Sequence, residues 1–545
     1  MNRLTMILWP LLTISLAPTT ALADLESDVD ALFKDYTAST PGCTVAISRS
    51  GKPLLNKAYG LANLEHNVFN SAETRFYAAS AAKQFTAAAI GLLVLDKKLK
   101  LSSSIREFVP QLPDHADAIT IDHLLHHTDG LRDYFTLLYF EGRDYDDSLT
   151  DKQVLRLLTQ QQAPNFAAGS DFLYSNSGYW LLAKVVESVT GQTLAQFAHA
   201  RLFKPLGMTD TDYIEDFSAI IAQRAEGYVA DPSGWRAPRS RFAQIGPSGV
   251  ATTTADLMRW IEGLHAGYLG DVLATMVTTP GRLNNGDPVN YGFGLFLQRY
   301  RNLTLWQHGG ARPGYRSNVV FVPELQLAVA LLCNTSSIDA IATTNQIISY
   351  VHSDGTKPEE LPSADCKALQ RLVGSYALPG GIKYRIYLSG DALFAQASGQ
   401  AEYQIFPSSD VEYFYKVADI RLVVDSVVDQ KVQSLTLHQN GEATLAKRID
   451  ILESPDTNLG NLVGTYTSPD INLPYEITYE QKTAYIRMGN SEPLALSHVD
   501  QEQFAIPGAT ITFTRGKQNR VEGFVLGAQR VKGIPFRKLE REQTQ

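Results

Sequence analysis

The pentapeptide Leu-Val-Gly-Ser-Tyr at residues 372–376 returns as Leu-Val-Gly-Thr-Tyr at residues 462–466, and the stretches that follow the two copies keep step. YRIYLSGDALFAQ from Tyr384 and YEITYEQKTAYIR from Tyr475 share an alternation of apolar and polar residues, broken at the same point by turn formers. Such alternation marks half-buried strands, and the break marks a hairpin. A unit of about 90 residues has been duplicated, and the duplication restricts the fold of everything after residue 366. Short strands in series close most simply on themselves, because closure removes unpaired edges. Residues 367–453 and 460–545 are therefore expected to form two small antiparallel β-barrels.

Ahead of the repeats the texture differs. The polar stretch HSDGTKPEELPSAD carries two prolines and reads as a linker, placing a boundary at residues 353–366. Between residues 24 and 352, helices and strands are mixed. CTVAISRSGKPLLNKAYG reads as a strand pair turning at Ser50-Gly51, residues 81–95 and 179–189 read as helices, and NLTLWQHGG, SNVVFVPEL and LAVALLCN read as three closing strands. Strands at both ends with helices between them predict an α+β domain: an antiparallel sheet assembled from both ends, with a helical insertion.

Residues 1–23 carry Arg3, an apolar run from Leu4 to Leu16 and the small-residue site Ala21-Leu22-Ala23, the pattern of a signal peptide cut before Asp24. The run falls short of the roughly 20 apolar residues of a membrane span. The protein is thus expected to be secreted or periplasmic, with no transmembrane segment after cleavage. No cysteine follows the cut, so a lipid anchor is not indicated. A net charge of −9 and the lack of a basic run argue against nucleic acid as a partner. Cys43, Cys333 and Cys366 show no CxxC spacing, so neither a metal cluster nor a disulfide framework is indicated, although an oxidising compartment permits one bridge.

Chemistry concentrates in three places. In RFYAASAAKQFTAAAI, Ser80 and Lys83 stand three apart in an alanine-rich helix, so they share a face. A serine hydroxyl needs a base to become a nucleophile, and a lysine desolvated by apolar walls has its pKa lowered into that role. Tyr174-Ser175-Asn176 precedes an amphipathic helix: a phenol beside an ammonium has its pKa reduced and can take the serine proton, and the Asn176 amide can orient Lys83 and hold a substrate carbonyl. In WQHGGARPGYRSNVV, His308 is followed by two glycines that admit close backbone approach to a strand. Alone, Lys83 reads more readily as a solvated helix charge and His308 as a packed histidine, and Tyr174 and Asn176 read also as a core ring and a turn residue at a helix entry. Asp122, His123, His126 and His127 add a fourth cluster, spaced so that imidazoles could share a helix face and bind a metal.

Taken in order, Ser80-Ala-Ala-Lys83, Tyr174-Ser-Asn176 and His308-Gly-Gly310 resemble the motifs of the serine β-lactamase family of class C type, with its related penicillin-binding proteins, esterases and D-aminopeptidases. LLHHTDGL, LFKPLGMTDT and SGVATTTADLMRW are similar to further family segments, and the resemblance runs from about Cys43 to Cys333. It implies a β-lactamase-like domain with Ser80 as the nucleophile that forms an acyl-enzyme, Lys83 as its proton-handling neighbour and Tyr174 as general base. Asn176, His308, Gly310 and Ala311 would bind substrate, with the N–H groups of Ser80 and Ala311 as oxyanion hole. The resemblance accounts for the histidine cluster as a structural turn leading away from the site, with no metal and no other cofactor. It also makes CTVAIS and LAVALLCN neighbouring strands, which would let Cys43 and Cys333 bridge.

Departures from the family bear on substrate. Many members bind a substrate carboxylate through Lys-Thr-Gly or Lys-Ser-Gly, whereas this chain has a largely neutral His308 and Gly309 there, with Arg312 and Arg316 as alternative cations. The His-x-Gly variant and two terminal barrels resemble the D-aminopeptidase branch, in which a barrel loop narrows the site and selects a free amino terminus. The expected function is a secreted serine hydrolase of small peptides, amides or esters, D-residue substrates foremost. A β-lactamase or D,D-carboxypeptidase is the alternative, and a non-catalytic cell-wall or ligand-binding protein is the alternative of another class. Oligomeric state is left open.

Overall fold

The computed structural model describes residues 19–143, 147–216, 218–238, 241–242, 244–352, 366–378, 383–390, 392–397, 402–415, 420–439, 442–449, 459–500, 502–528 and 530–539. Most of the expected signal peptide and all of the expected linker except Cys366 lie outside these residues. The first helix, α1 (Thr19–Leu32), runs through the expected cut before Asp24, and Cys366 opens a short helix, Cys366–Leu372. Among the described residues no helix is long and apolar enough to cross a membrane.

A six-stranded antiparallel sheet organises the first domain. Its strands are β1 (Cys43–Arg49), β2 (Lys52–Tyr59), β3 (Phe296–Tyr300), β4 (Leu303–Arg312), β5 (Tyr315–Val322) and β6 (Leu327–Cys333), in spatial order β3-β4-β5-β6-β1-β2. The sheet is thus drawn from both ends of the domain, as expected. Ser50 and Gly51 turn β1 into β2 with φ of 52° and 71°, the paired positive values of a tight hairpin. The central strands β1 and β6 are apolar almost throughout because both of their faces are covered. Val45, Ile47, Val329 and Leu331 pack with Leu25 and Val29 of α1 and with Phe33 just after it. Ala46, Ala328, Ala330 and Leu332 belong instead to the larger core that includes the helical insertion. Cys43 faces Cys333 across the β1–β6 pair, and the two form a disulfide.

In the insertion, the expected helix over residues 81–95 divides into a 3₁₀ turn, Ala79–Ala82, and α2 (Lys83–Leu95). The expected helix over residues 179–189 is longer. It starts as α3 at Asn176 behind the cap of Ser175 Oγ, which accepts from Gly178 N–H at 3.3 Å, and ends at Thr190 before Gly191 at φ 70°.

Both repeats form barrels. Eight strands from Gly374–Ala377 to Glu442–Ile449 close into one, and nine from Gly464–Ser468 to Val531–Lys538 form a second, nearly closed sheet. The duplicated pentapeptide is a latch in each: Tyr376 Oη donates to Leu372 O at 2.7 Å, and Tyr466 Oη to Leu462 O at 2.6 Å. A cation from the last strand lies against each tyrosine ring, Arg448 in the first copy and Lys538 in the second.

The second barrel is bound to the helical insertion through polar contacts, the Arg132–Asp470 pair among them fully buried. Arg132 Nη1 pairs with Asp470 at 3.1 Å with side-chain exposures of only 2% and 1%, and Arg132 Nη2 donates to Gly533 O at 3.2 Å. Tyr475 Oη donates to Phe140 O at 2.7 Å and Tyr139 Oη to Pro507 O at 2.8 Å. These bonds fix the barrel against the segment around Asp133, at the edge of the candidate site.

Candidate active site

A cavity of about 820 Å³ opens between β4, the 3₁₀ turn and the start of α3, with Ser80, Tyr174, Asn176, His308 and Ala311 among its walls. The structure brings together every residue that the sequence placed in the site. Ser80 lies in the 3₁₀ turn, where residues three apart eclipse one another, so Lys83 stacks on it more directly than an α-helix would allow. Ala79, just before the serine, has φ 48°, a left-handed conformation of the kind that costs of order 1–3 kcal/mol and gathers at functional sites.

Lys83 is fully buried. Its Nζ donates to Asn176 Oδ1 at 2.8 Å and to Pro247 O at 2.9 Å, and stands 3.5 Å from Ser80 Oγ. Burial lowers its pKa well below that of an ordinary lysine, the Arg530 guanidinium lowers it further, and Asp133 pulls only partly the other way. A neutral amine has two N–H donors and one lone pair. In that neutral form, with both donors spent on Asn176 and Pro247, the lone pair faces Ser80.

Asn176 is held for this purpose by Asp133. Asp133 Oδ2 accepts from both Asn176 N and Nδ2 at 2.8 Å, which turns Asn176 Oδ1 toward the lysine. The other oxygen, Oδ1, caps the helix Tyr134–Phe140 by accepting from Phe135 N and Thr136 N at 3.1 and 3.2 Å.

Tyr174 departs from the sequence expectation. Burial raises its phenol above the usual tyrosine range, and neither the Arg530 guanidinium nor the Ser80 hydroxyl, which both pull downward, offsets this. The phenol therefore stays protonated, contrary to a pKa reduced by a neighbouring ammonium, because its own desolvation dominates. The buried Oη has no well-formed hydrogen bond among the described residues.

His308 is neutral because burial disfavours the imidazolium, with its pKa pushed down to about 3. Its Nδ1 lies 2.7 Å from Gly309 O and its Nε2 3.0 Å from Tyr291 Oη, an arrangement satisfied when Nδ1–H donates and Nε2 accepts. Gly310 lets β4 run against the nucleophile: a Cβ there would stand 2.2 Å from Ala78 O, 2.4 Å from Ser317 Oγ and 3.0 Å from Ser80 N. Ala311 follows on the same strand at the cavity wall.

The histidine cluster does not lead away from the site throughout. His123 closes a capping box with Thr120 and His126 bonds back to Asp122, both as structural turn elements. His127, at φ 58°, enters the site. Its Nδ1 accepts from Ser175 N–H at 3.2 Å, and its ring packs on Tyr174, Tyr179 and Tyr291 at centroid distances of 4.4, 5.0 and 4.6 Å.

Sequence reasoning also missed Asp133, Tyr291, the Pro247 carbonyl and Arg530. Asp133 was open to reading as a helix cap before Tyr134. Arg530 lies in a turn of the second barrel and carries no local signal. It brings a cation to the cavity mouth, where a selector of free amino groups would need an acid.

Comparison with known proteins agrees with this geometry. The family model described as Beta-lactamase matches residues 29–348. The chain is 26% identical over 430 residues to penicillin-binding protein 4* of Bacillus subtilis (strain 168), spanning 74% of this chain and 94% of that one. It is 27% identical over 390 residues to a D-aminopeptidase of Gluconobacter oxydans (strain 621H), spanning 70% and 73%. Among solved structures, D-amino acid amidase from Ochrobactrum anthropi SV3 superposes with a TM-score of 0.52 at 23% identity, over 60% of this chain and 98% of that one, a likeness of fold.

Proposed function

The chain belongs to the beta-lactamase family, a family of serine hydrolases, and from that premise we propose that it is an exported hydrolase that transfers the acyl group of small amides or esters to Ser80, D-residue substrates foremost. The observation that carries this reading is the placement of Lys83 Nζ 3.5 Å from Ser80 Oγ, held there by Asn176 Oδ1 and the Pro247 carbonyl in a fully buried position that favours the neutral amine. Ser80 Oγ–H gives its proton to Lys83 Nζ as Oγ bonds to the substrate carbonyl carbon. The N–H groups of Ser80 and Ala311 hold the resulting oxyanion, each worth about 10²- to 10³-fold in rate. When the carbonyl re-forms, the bond to the leaving nitrogen or oxygen breaks. That atom takes a proton from Tyr174, whose phenol is replenished by the ammonium of Lys83. Water then attacks the acyl carbon as Lys83 takes its proton, and when the acyl–Oγ bond breaks the Lys83 ammonium returns that proton to Ser80 Oγ as the acid product leaves.

The D-aminopeptidase relative and the amidase fold support amides of D-residues as substrates. Export is supported by the composition of residues 1–23 and by the Cys43–Cys333 disulfide, which suits an oxidising compartment. A fluorophosphonate, which labels only an activated serine, tests the reading. Ser80 is expected to be labelled in the intact protein and Ser80→Ala to be inert. A protein left unlabelled at Ser80 would be the non-catalytic binder instead.

A further inference from the structure

The hairpin of strands Val521–Ala528 and Val531–Lys538 in the second barrel turns at the cavity mouth, and the first domain clamps that turn. Arg530 O accepts from Asp133 N–H at 3.3 Å and from Asn165 Nδ2 at 3.1 Å, while Asn165 Oδ1 accepts from Lys532 N–H at 2.7 Å. One asparagine side chain thus holds the turn on both sides of Val531. From this fixed backbone the Arg530 guanidinium reaches over the Tyr174 ring, 4.7 Å from its centroid.

Two other guanidiniums share the wall, and both are engaged. Arg316 Nη1 donates to the carbonyls of Arg312 and Tyr315 at 2.9 and 2.8 Å, and Arg312 lies 4.3 Å over the Tyr77 ring. Beyond its contact with the Tyr174 ring, the Arg530 guanidinium forms no ion pair and no hydrogen bond among the described residues, so its planar fork of donors is left to the cavity. The single carboxylate on the wall among the described residues, Asp339, accepts from Ala342 N–H at 3.0 Å. The mouth is therefore set for an anion and repels an ammonium.

We propose that Arg530 docks a carboxylate on the leaving-group half of the substrate and so sets the enzyme's specificity; this rests on the serine hydrolase reading above. The half is fixed by Tyr174. The phenol hands its proton to the leaving atom, so the guanidinium above its ring meets the atoms bonded beyond that atom. A leaving amino acid with a free carboxylate presents the anion two bonds from its nitrogen, within the reach of an arginine. Substrates are then short acyl-D-residue peptides with a free C-terminus. Loss of the leaving group's charge, more than blocking of the amino end, abolishes preference.

The test uses acetyl-D-alanyl-glycine and acetyl-D-alanyl-glycinamide, which differ only in that terminal charge. Their affinities are measured by calorimetry in Ser80→Ala protein, where turnover does not interfere. The carboxylate is expected to bind at least about tenfold more tightly than the amide, the scale of one charge-assisted hydrogen bond. Adding Arg530→Gln should bring the two to parity, Arg530→Glu should favour the amide, and Arg530→Lys should recover part of the preference. Equal affinities with Arg530 in place, or a preference that survives Arg530→Gln, would overturn the proposal. Fluorophosphonate labelling of the Ser80 protein is scored separately: failure to label with the carboxylate preference intact would defeat the hydrolase reading and leave the anion site standing.

Discussion

Arg132 and Asp470 form an ion pair, 3.1 Å apart and shut away from solvent, that joins the segment beside Asp133 to the second barrel. Asp470 also accepts from Gln162 N–H at 2.6 Å, so one carboxylate secures two points of the first domain. The backbone beside this pair orients Asn176 through Asp133 and clamps Arg530. Barrel docking and the geometry of the site are thus mechanically one structure.

Removing one partner of a buried pair leaves the other charge uncompensated, at about 3–5 kcal/mol. Asp470→Ala should lower the free energy of unfolding by an amount of that order and weaken the Arg530-dependent choice of substrate. Replacing both partners, Arg132→Met with Asp470→Leu, should restore much of the stability. Equilibrium unfolding of the three proteins decides it, and a single-mutant cost below about 1 kcal/mol would mean that the pair is solvated.

Adjacent glycines should respond differently. Gly310→Ala places a methyl against the backbone of Ala78 and Ser80, so β4 must withdraw from the nucleophile and the oxyanion pair opens. A fall in kcat/KM of about 10²-fold or more is expected, the loss of one oxyanion donor. At Gly309 the nearest atom is Ile341 Cδ1 at 3.0 Å, the end of a side chain that can shift, so Gly309→Ala should stay within a few-fold of the parent. Steady-state kinetics on the two variants make the comparison.

His308 links stability to pH. Its ring is neutral in the folded protein down to about pH 3, whereas an unfolded histidine takes a proton below 6.5. The unfolded state therefore binds more protons between these values, and stability falls as pH falls, by about 1.4 kcal/mol per unit from this group once below pH 6.5. His127, whose pKa burial also lowers, adds to the same slope. Denaturation at pH 7, 6 and 5 should show a shallower loss in His308→Asn than in the parent. Equal slopes would mean that the ring is already charged at pH 5.

Much of this was legible in the sequence for one physical reason: Ser80 and Lys83, Tyr174 and Asn176, and His308 and Gly310 each act within a single local element, and local spacing is what a sequence records. The barrels were legible through their alternation and the recurring LVG(S/T)Y. Protonation was less accessible, since the pKa of Tyr174 depends on burial by elements remote in the chain. His127 was assigned to a turn leading outward because helical spacing does not reveal the positive φ that swings it inward. Arg530 was invisible because its place at the mouth exists only once the second barrel has docked through Arg132 and Asp470.

In this mechanism Lys83 serves Ser80 as a neutral amine. The second-order rate of Ser80 labelling by an uncharged fluorophosphonate, followed against pH, tests it most directly, because the probe does not titrate. The account predicts a rising limb with a midpoint well below the ordinary lysine value of 10.5. The midpoint should move upward in Arg530→Gln, which removes a cation that disfavours the ammonium, and the limb should vanish with most of the rate in Lys83→Ala. A midpoint near 10.5, or the same limb persisting without Lys83, would contradict it.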